Sequence, residues 1–400
     1  ISISKRNELI TEEKLNQMER YSEDLLQYLI EDKTERDNWY KARYYVMNTL
    51  PSLEGEGISH GSNKRMHVVV NWEDSSSLLL AVIRQICLVA HYPNYQEDTG
   101  VNRTLISICT KDITAAYHSI RGCAYLGNLL AYCKCNITDS KEAECTETLP
   151  LDIEFEFVTG KSEIGENDIA FEINKKDVED KTAHLQEDDY ILDVTMGMLV
   201  FMVYNTGVEI DNLSAYDNAN IERYSIALNV FCYKLKPDLI FQKWKECAKP
   251  NNNGKYNQVD IKNKLSSVFC ADCFESRIRG LLDTSEKNIV EYLLQDFGTV
   301  MKVICKENII TSLARCEHSR WNVEKLIMGF SPLKPKDWYK IESCFGKERR
   351  NLIKRLKKAG RHIDICSYRG LRRVNPEDMK YDFFLILAMP QIMRSYYLAK

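Results

Sequence analysis

Four things are missing from this chain of 400 residues: a long clean apolar run, an excess of charge of one sign, a glycine-rich phosphate loop, and histidines or cysteines at metal-ligand spacing. Each absence excludes a class of function. The most apolar window, "YILDVTMGMLVFMVYNTGVEI", carries Asp193 and Asn205 and falls short of the ~20 clean residues that a spanning helix needs. It reads as a buried helix entered from a short strand, "DDYILDVT" (188–195), and the chain is expected to be soluble. A formal net charge of −4 provides no global field for nucleic acid, so any anion site must be local. His67, His91, His118 and His184 are scattered and read as structural. Cys133 and Cys135 are separated by a single residue, and no histidine follows Cys270 and Cys273 at finger spacing, so no metal is expected.

What is present begins with 44% apolar residues, over a length beyond the ~250 to 300 residues at which single cores stop growing. Two or three domains are therefore expected. The fourteen cysteines sit singly in apolar runs such as "LISICTKD" and "ALNVFCYK", where a thiol behaves as a small hydrophobe. Free thiols in a reducing cytosol are the simplest expectation. The opening "ISISKRNEL" has neither an initiator methionine nor a signal peptide and reads as the cut end of a longer chain.

Along the chain, Leu9, Leu15, Met18, Leu25, Leu26, Tyr28 and Leu29 recur at helical spacing, which makes residues 1–50 a helical N-terminal segment. "PSLEGEGISHGSNKR" (51–65) reads as a loop and sets a boundary near residue 60. "MHVVVNW" is a β-branched strand, "SSSLLLAVIRQICLVAHY" an apolar helix whose start is marked by Asp74 and the serines, and "NRTLISICTKD" a second strand. Strand, helix, strand at this spacing is a βαβ unit and implies a parallel sheet. "LDIEFEFVTG" alternates cleanly and adds a strand at an edge. The fold class is α/β plus mostly helical: a Rossmann-like parallel-sheet domain over 62–205, a helical region over 206–310 and a small helical module over 311–400.

A dinucleotide site needs glycines after the first strand so that backbone can approach pyrophosphate. "NWEDSSS" has none, and its Glu73 and Asp74 repel phosphate. Ser75 and Ser76 at the helix N-terminus still offer hydrogen bonds, and Asp112 ends the second strand where a ribose-binding acid commonly sits. These three residues are the cofactor-binding candidates.

The densest chemistry lies in "LARCEHSRWNVEKLIMGF" (313–330), where Glu317, Arg320, Trp321 and Glu324 fall on one helical stripe flanked by His318 and Lys325. Nothing in it is a nucleophile. On residues alone, Trp321 reads as core and Glu317 with Arg320 as an ion pair; a ligand platform is the alternative. The stretch is similar to the signature helix of the RyR domain, the small repeated module of ryanodine receptors that also occurs in bacterial proteins. Leu313, Ala314, Glu317, His318, Arg320, Trp321 and Gly329 match its pattern. A second block, "RHIDICSYRGLRRVNPEDMKYDFFLILAMPQIM", supplies His362, Tyr368, Leu371, Asp382 and Pro390 in the expected order. The resemblance covers residues 311–400. It departs from the family where Gly329-Phe330 leads into "SPLKPKDWYK", and where the basic run "KERRNLIKRLKKAGRH", with Leu352, Ile353 and Leu356 on one side, lengthens the link to His362. That run lacks interleaved aromatics, so no nucleic-acid partner is expected.

In bacterial relatives this module often follows a nucleotide-binding domain of the potassium-transport-regulator type, sometimes behind transmembrane helices, and the unit at 66–112 resembles such a domain. The resemblance implies a soluble sensor or regulatory region that binds a nucleotide-like ligand and signals to an effector or to a membrane segment preceding Ile1. A homo-oligomer is compatible with it. The ligand-binding residues implied are Glu317, His318, Arg320, Trp321, Arg361, His362 and Tyr368, with no catalytic residue and no named cofactor. An enzyme acting on a nucleotide or NAD-type substrate and a pure protein-interaction module are the alternatives.

Overall fold

The computed structural model describes residues 32–54, 57–73, 75–138, 149–185, 196–197, 199–201, 258–282 and 289–399. The amphipathic start, Asp74, the strand expected at 188–195 and most of the helical region before residue 258 lie outside the described residues.

Helix α1 (Lys33–Thr49) starts at Asp32, whose side chain accepts from the Glu35 amide, and it buries Trp39, Ala42, Tyr45 and Val46 at helical spacing. A single turn, α2 (Pro51–Glu54), follows. Strand β1 (Arg65–Asn71), helix α3 (Ser77–Val89) and strand β2 (Thr104–Thr110) form the expected βαβ unit, with β1 and β2 parallel and Val68 opposite Ile106. Helices α4 (Ile113–Gly122) and α5 (Leu126–Leu130) lead to β3 (Lys134–Ile137), β4 (Ile153–Thr159), β5 (Asp168–Asn174) and α6 (Lys175–Thr182). All five strands run parallel in the order β3-β4-β2-β1-β5, as a Rossmann-like sheet requires. The edge position expected for "LDIEFEFVTG" is corrected: β4 is interior, because β3 occupies the place outside it. At four residues, β3 is too short to show an alternation in sequence.

Alternation sorts the sheet into two unlike faces. Met66, Val68, Val70, Ile106, Ile108, Phe155, Phe157 and Phe171 join one continuous core with residues of α1, α3 and α4. The opposite face is polar. There Asp168 pairs with Arg65 at 2.8 Å, its second oxygen lies 2.9 Å from His67 Nδ1, and His67 Nε2 lies 2.6 Å from Ser107 Oγ. Residues 160–167 carry the chain from β4 to β5 across this face, and Ser162 donates to Glu156 at 2.7 Å while lying 3.2 Å from His67 Nε2.

Beyond residue 258 the described chain is helical: α7 (Gln258–Asp272), α8 (Phe274–Leu282), α9 (Ile289–Gln295), α10 (Phe297–Ile304), α11 (Glu307–Ile327), α12 (Pro335–Glu342), α13 (Gly346–Lys358), α14 (Tyr368–Val374) and α15 (Met379–Ala399). Helices α11 and α15, each 21 residues long, pack on one another, and α11 also reaches α3 and α5. The helices over the sheet and the C-terminal helices therefore share one core. Helix α8 meets the segment before β1 backbone to backbone: a Cβ on Gly57 would sit 2.1 Å from the Gly280 amide nitrogen.

Two glycines place the end of the molecule. Gly329 (φ 85°) follows α11 and Gly360 (φ 75°) follows α13, each taking the left-handed conformation that a helix stop of this kind requires. The residues just beyond them, β6 (Ser331–Pro332) and β7 (Arg361–His362), pair in parallel, which draws His362 back to the end of α11. Leu352, Leu333, Ile341 and Ile363 make a small second core under α13. No helix among the described residues is long and apolar enough to cross a membrane. The eleven described cysteines are free thiols, seven of them buried.

Candidate functional site

The polar stripe of α11 is answered by buried partners on three sides. Arg320 donates through Nη2 to Glu317 at 2.8 Å and through Nη1 to Glu324 at 2.6 Å. From α8, the Arg277 guanidinium comes within 2.7 Å of the other Glu317 oxygen. From α7, Ser266 donates to Glu324 at 2.7 Å, and Lys325 closes on Glu324 at the same distance. The result is a chain of alternating charge, Arg277, Glu317, Arg320, Glu324, Lys325, in which every member is buried. Burial alone would push the Glu317 carboxyl up, but Arg320 and Arg277 outweigh it and hold the group at about 2.

On the adjoining face, His318 donates through Nε2 to the Cys366 carbonyl at 3.0 Å, and Asn322 donates to the same carbonyl at 2.8 Å. This fixes the imidazole tautomer and leaves Nδ1 turned toward Asp382, 3.6 Å away on α15. Trp321 and His362 meet edge to face with ring centres 4.9 Å apart, and His318 lies 5.6 Å from Tyr368. Lys325 Nζ stands 5.4 Å over the Trp321 ring. The two blocks that carry the family resemblance therefore face each other.

Between them lies a cavity of about 420 Å³, within the size range of small-molecule sites. Its floor holds the buried Glu317, His318, Arg320 and Asp382, and its wall includes Trp321, Phe330 and His362. Lys354, Lys357 and Lys358 of α13 line its exposed mouth. Burial sets the protonation inside. It pushes the His318 imidazole down to about 4, and with Lys357 and Lys325 it pushes His362 down to about 3, so both are neutral at pH 7. It also raises Asp364, helped by Asp378, to about 7. Asp382 is raised well above the usual carboxylate range, by burial first and then by Glu317.

Of the residues expected from sequence, Glu317, His318, Arg320, Trp321 and His362 line this cavity and Tyr368 packs against His318. Two roles change. Trp321 is half-buried at the cavity wall, not enclosed in the core. Arg361 pairs with Asp337 of α12 at 2.5 Å, because neighbours on a strand point to opposite sides and His362 takes the inward one. The sequence reading missed Lys325, Phe330, Lys354, Lys357, Asp364 and Arg277 as partners of the site. Lys325 was findable one turn after Trp321, and Lys354, Lys357 and Lys358 stand at i, i+3, i+4 opposite Leu352 and Leu356. Arg277 carries no local signal.

The sheet-edge candidates act as local supports. Ser76 caps α3, accepting from the Leu79 amide, and Ser75 Oγ lies 2.8 Å from Ser119 Oγ. Asp112 caps α4 by accepting from the Ala115 amide at 2.9 Å through one oxygen of its exposed carboxylate. A second cavity of about 420 Å³ opens beside Ser75, Ser76 and Ser77, but its Lys41 and Lys175 are already paired with Asp37 and Glu179.

Comparisons of the chain with protein-family models, with curated proteins and with solved structures find no match.

Proposed function

We propose that the chain is a ligand-sensing regulatory region whose C-terminal helices form a RyR-type module with a nucleotide-like anion as its ligand. The observation that carries this reading is the cavity between α11, α13 and α15, which combines aromatic walls, a cationic mouth and a polar buried floor. Planar rings stack on Trp321 and His362, and phosphate is neutralised by Lys354, Lys357 and Lys358 at the mouth. Recognition without turnover fits the lining better than catalysis does. Its thiol, Cys270, is raised well above the ordinary range by burial and is a poor nucleophile at neutral pH. Because α7, α11 and α15 all contribute, ligand binding would bias the packing of these helices and so pass a signal to an effector or a membrane segment.

Isothermal titration calorimetry with nucleoside mono- and diphosphates tests the reading. Micromolar binding that is lost in Trp321→Ala and weakened in Lys357→Ala, with folding preserved, is the expected result. Absence of binding by the unaltered chain to every nucleotide tried would leave the cavity as a packing defect in a protein-interaction module.

A further inference from the structure

We infer that the corner formed by α12 and α13 is a docking surface for an anionic lipid bilayer, which it meets with a cationic helix face and two bare aromatic side chains. Residues 334–361 carry eleven lysines and arginines against three acids, in a chain whose net charge is −4. Two of those acids are already answered, Asp337 by Arg361 at 2.5 Å and Glu342 by Arg373 at 3.2 Å. The third, Glu348, is the only acid within α13. Helix α13 turns Leu352, Ile353 and Leu356 onto its own small core. Its other side is exposed, and there Lys347, Arg350, Lys354 and Lys358 recur at i, i+3, i+7 and i+11.

The aromatic pair separates a bilayer from other polyanions. Phe345 is 79% exposed and Tyr339 74%, the two highest exposures among the described large hydrophobic side chains. Neither belongs to a core cluster. Phe345 also holds the N-cap position of α13, where a Ser, Thr or Asp side chain would satisfy a free amide and a phenyl ring satisfies none. A ring that supports neither packing nor capping gains a role when it enters the interfacial layer of a membrane, with lysines beside it on the lipid phosphates. An acidic peptide docks in a groove, whereas α13 presents a convex face whose apolar side is already used. Single-stranded nucleic acid stacks on aromatics interleaved along a basic groove, and here both rings precede the basic helix. The surface is distinct from the cavity, because Tyr339, Phe345, Lys347 and Arg350 do not line it.

In the test, the whole chain is sedimented with vesicles of phosphatidylcholine alone and of phosphatidylcholine mixed with phosphatidylserine, with melting curves as the control for folding. Binding to the mixed vesicles only, weakening as salt rises, is the expected result. Lys347→Ala combined with Arg350→Ala should lower it about twenty-five-fold, roughly fivefold for each cation. Phe345→Ser should lower it about tenfold, whereas Phe345→Leu, which keeps an apolar contact, should stay within about threefold of the unaltered chain. No binding to the mixed vesicles, equal binding to both kinds, or full binding by the serine variant would each overturn the assignment. Complete displacement of the vesicles by a single-stranded oligonucleotide or by polyglutamate, at equal concentration of charge, would overturn it in favour of nucleic acid or an acidic peptide. Nucleotide titrations of the same variants should match the unaltered chain; a parallel loss would mean that the changes disturb the module as a whole, and would overturn the assignment as well.

Discussion

Two of the clusters built around buried histidines among the described residues end differently. On the polar face of the sheet, Asp168 is shared by Arg65, His67 and the Gly165 amide, and Ser107, Glu156 and Ser162 complete the ring of partners around His67. In the C-terminal cavity the same residue types, His318, His362, Asp364 and Asp382, surround about 420 Å³ of open volume. The segment 160–167 makes the difference, since its Ser162 occupies the place where a ligand would otherwise approach His67. A buried histidine beside an acid is therefore not by itself a sign of function. What differs is the open volume left beside the second cluster.

The comparison can be broken most forcefully at the ion chain under the cavity. Arg320→Ala should leave Glu317 and Glu324 buried with fewer partners and cost ~3 to 5 kcal/mol, read as a lower urea midpoint. A loss below ~1 kcal/mol would mean that the chain is hydrated in solution. On the sheet face, Asp168→Ala strands Arg65 and His67 and should cost ~1 to 3 kcal/mol, with no change in ligand binding. Any effect of this variant on nucleotide affinity would show that the two clusters communicate.

Proton linkage sharpens the contrast further. Glu317 and Asp168 are both held at about 2, so their stabilisation is complete above the ordinary carboxylate range and is lost as pH falls from ~4 toward 2. His318 is depressed to about 4, so the unfolded chain takes up its proton first and stability declines as pH drops from ~6.5 to 4, by up to ~1.4 kcal/mol per unit. A His318→Asn variant should flatten that stretch of the stability curve. Asp364 has the opposite sign: raised to about 7, it contributes stability at low pH that is lost as pH rises from ~4 to 7. Asp364→Asn should consequently gain ~1 to 2 kcal/mol at pH 7, measured by the same urea titration. The smallest effect on folding belongs to the mouth, where Lys354→Ala or Lys358→Ala should shift stability by less than ~0.5 kcal/mol. Either change should still reduce nucleotide affinity, and more so at low salt than at high salt.

The parts legible in sequence were those whose signal repeats within a few residues. The βαβ unit could be read because "MHVVVN" and "TLISICT" are β-branched runs around an apolar helix, and the α11 cluster because Glu317, Arg320 and Trp321 share one stripe. The interior place of β4 was not legible, because strand order follows from pairings between segments, and β3 and β5 gave weak local patterns. The sign of Arg361 was lost because a two-residue strand has no alternation to read. The closed state of the sheet-face cluster was hidden as well, since it depends on Ser162 arriving from a connection without regular structure.

The pair formed by Arg277 of α8 and Glu317 of α11 has an evolutionary consequence. Neither residue can change alone without leaving its partner charged inside the protein, and their joint replacement by apolar side chains would cost little only with a matching change at Arg320, which also donates to Glu317. In any set of sequences descended from a common ancestor with this one, these two distant positions should covary, switching together between ionic and apolar pairs. Mixed pairs should be depleted. Such a pattern would be readable from sequences alone, and it would tie the helix bearing Gly280 to the cavity floor as one inherited unit.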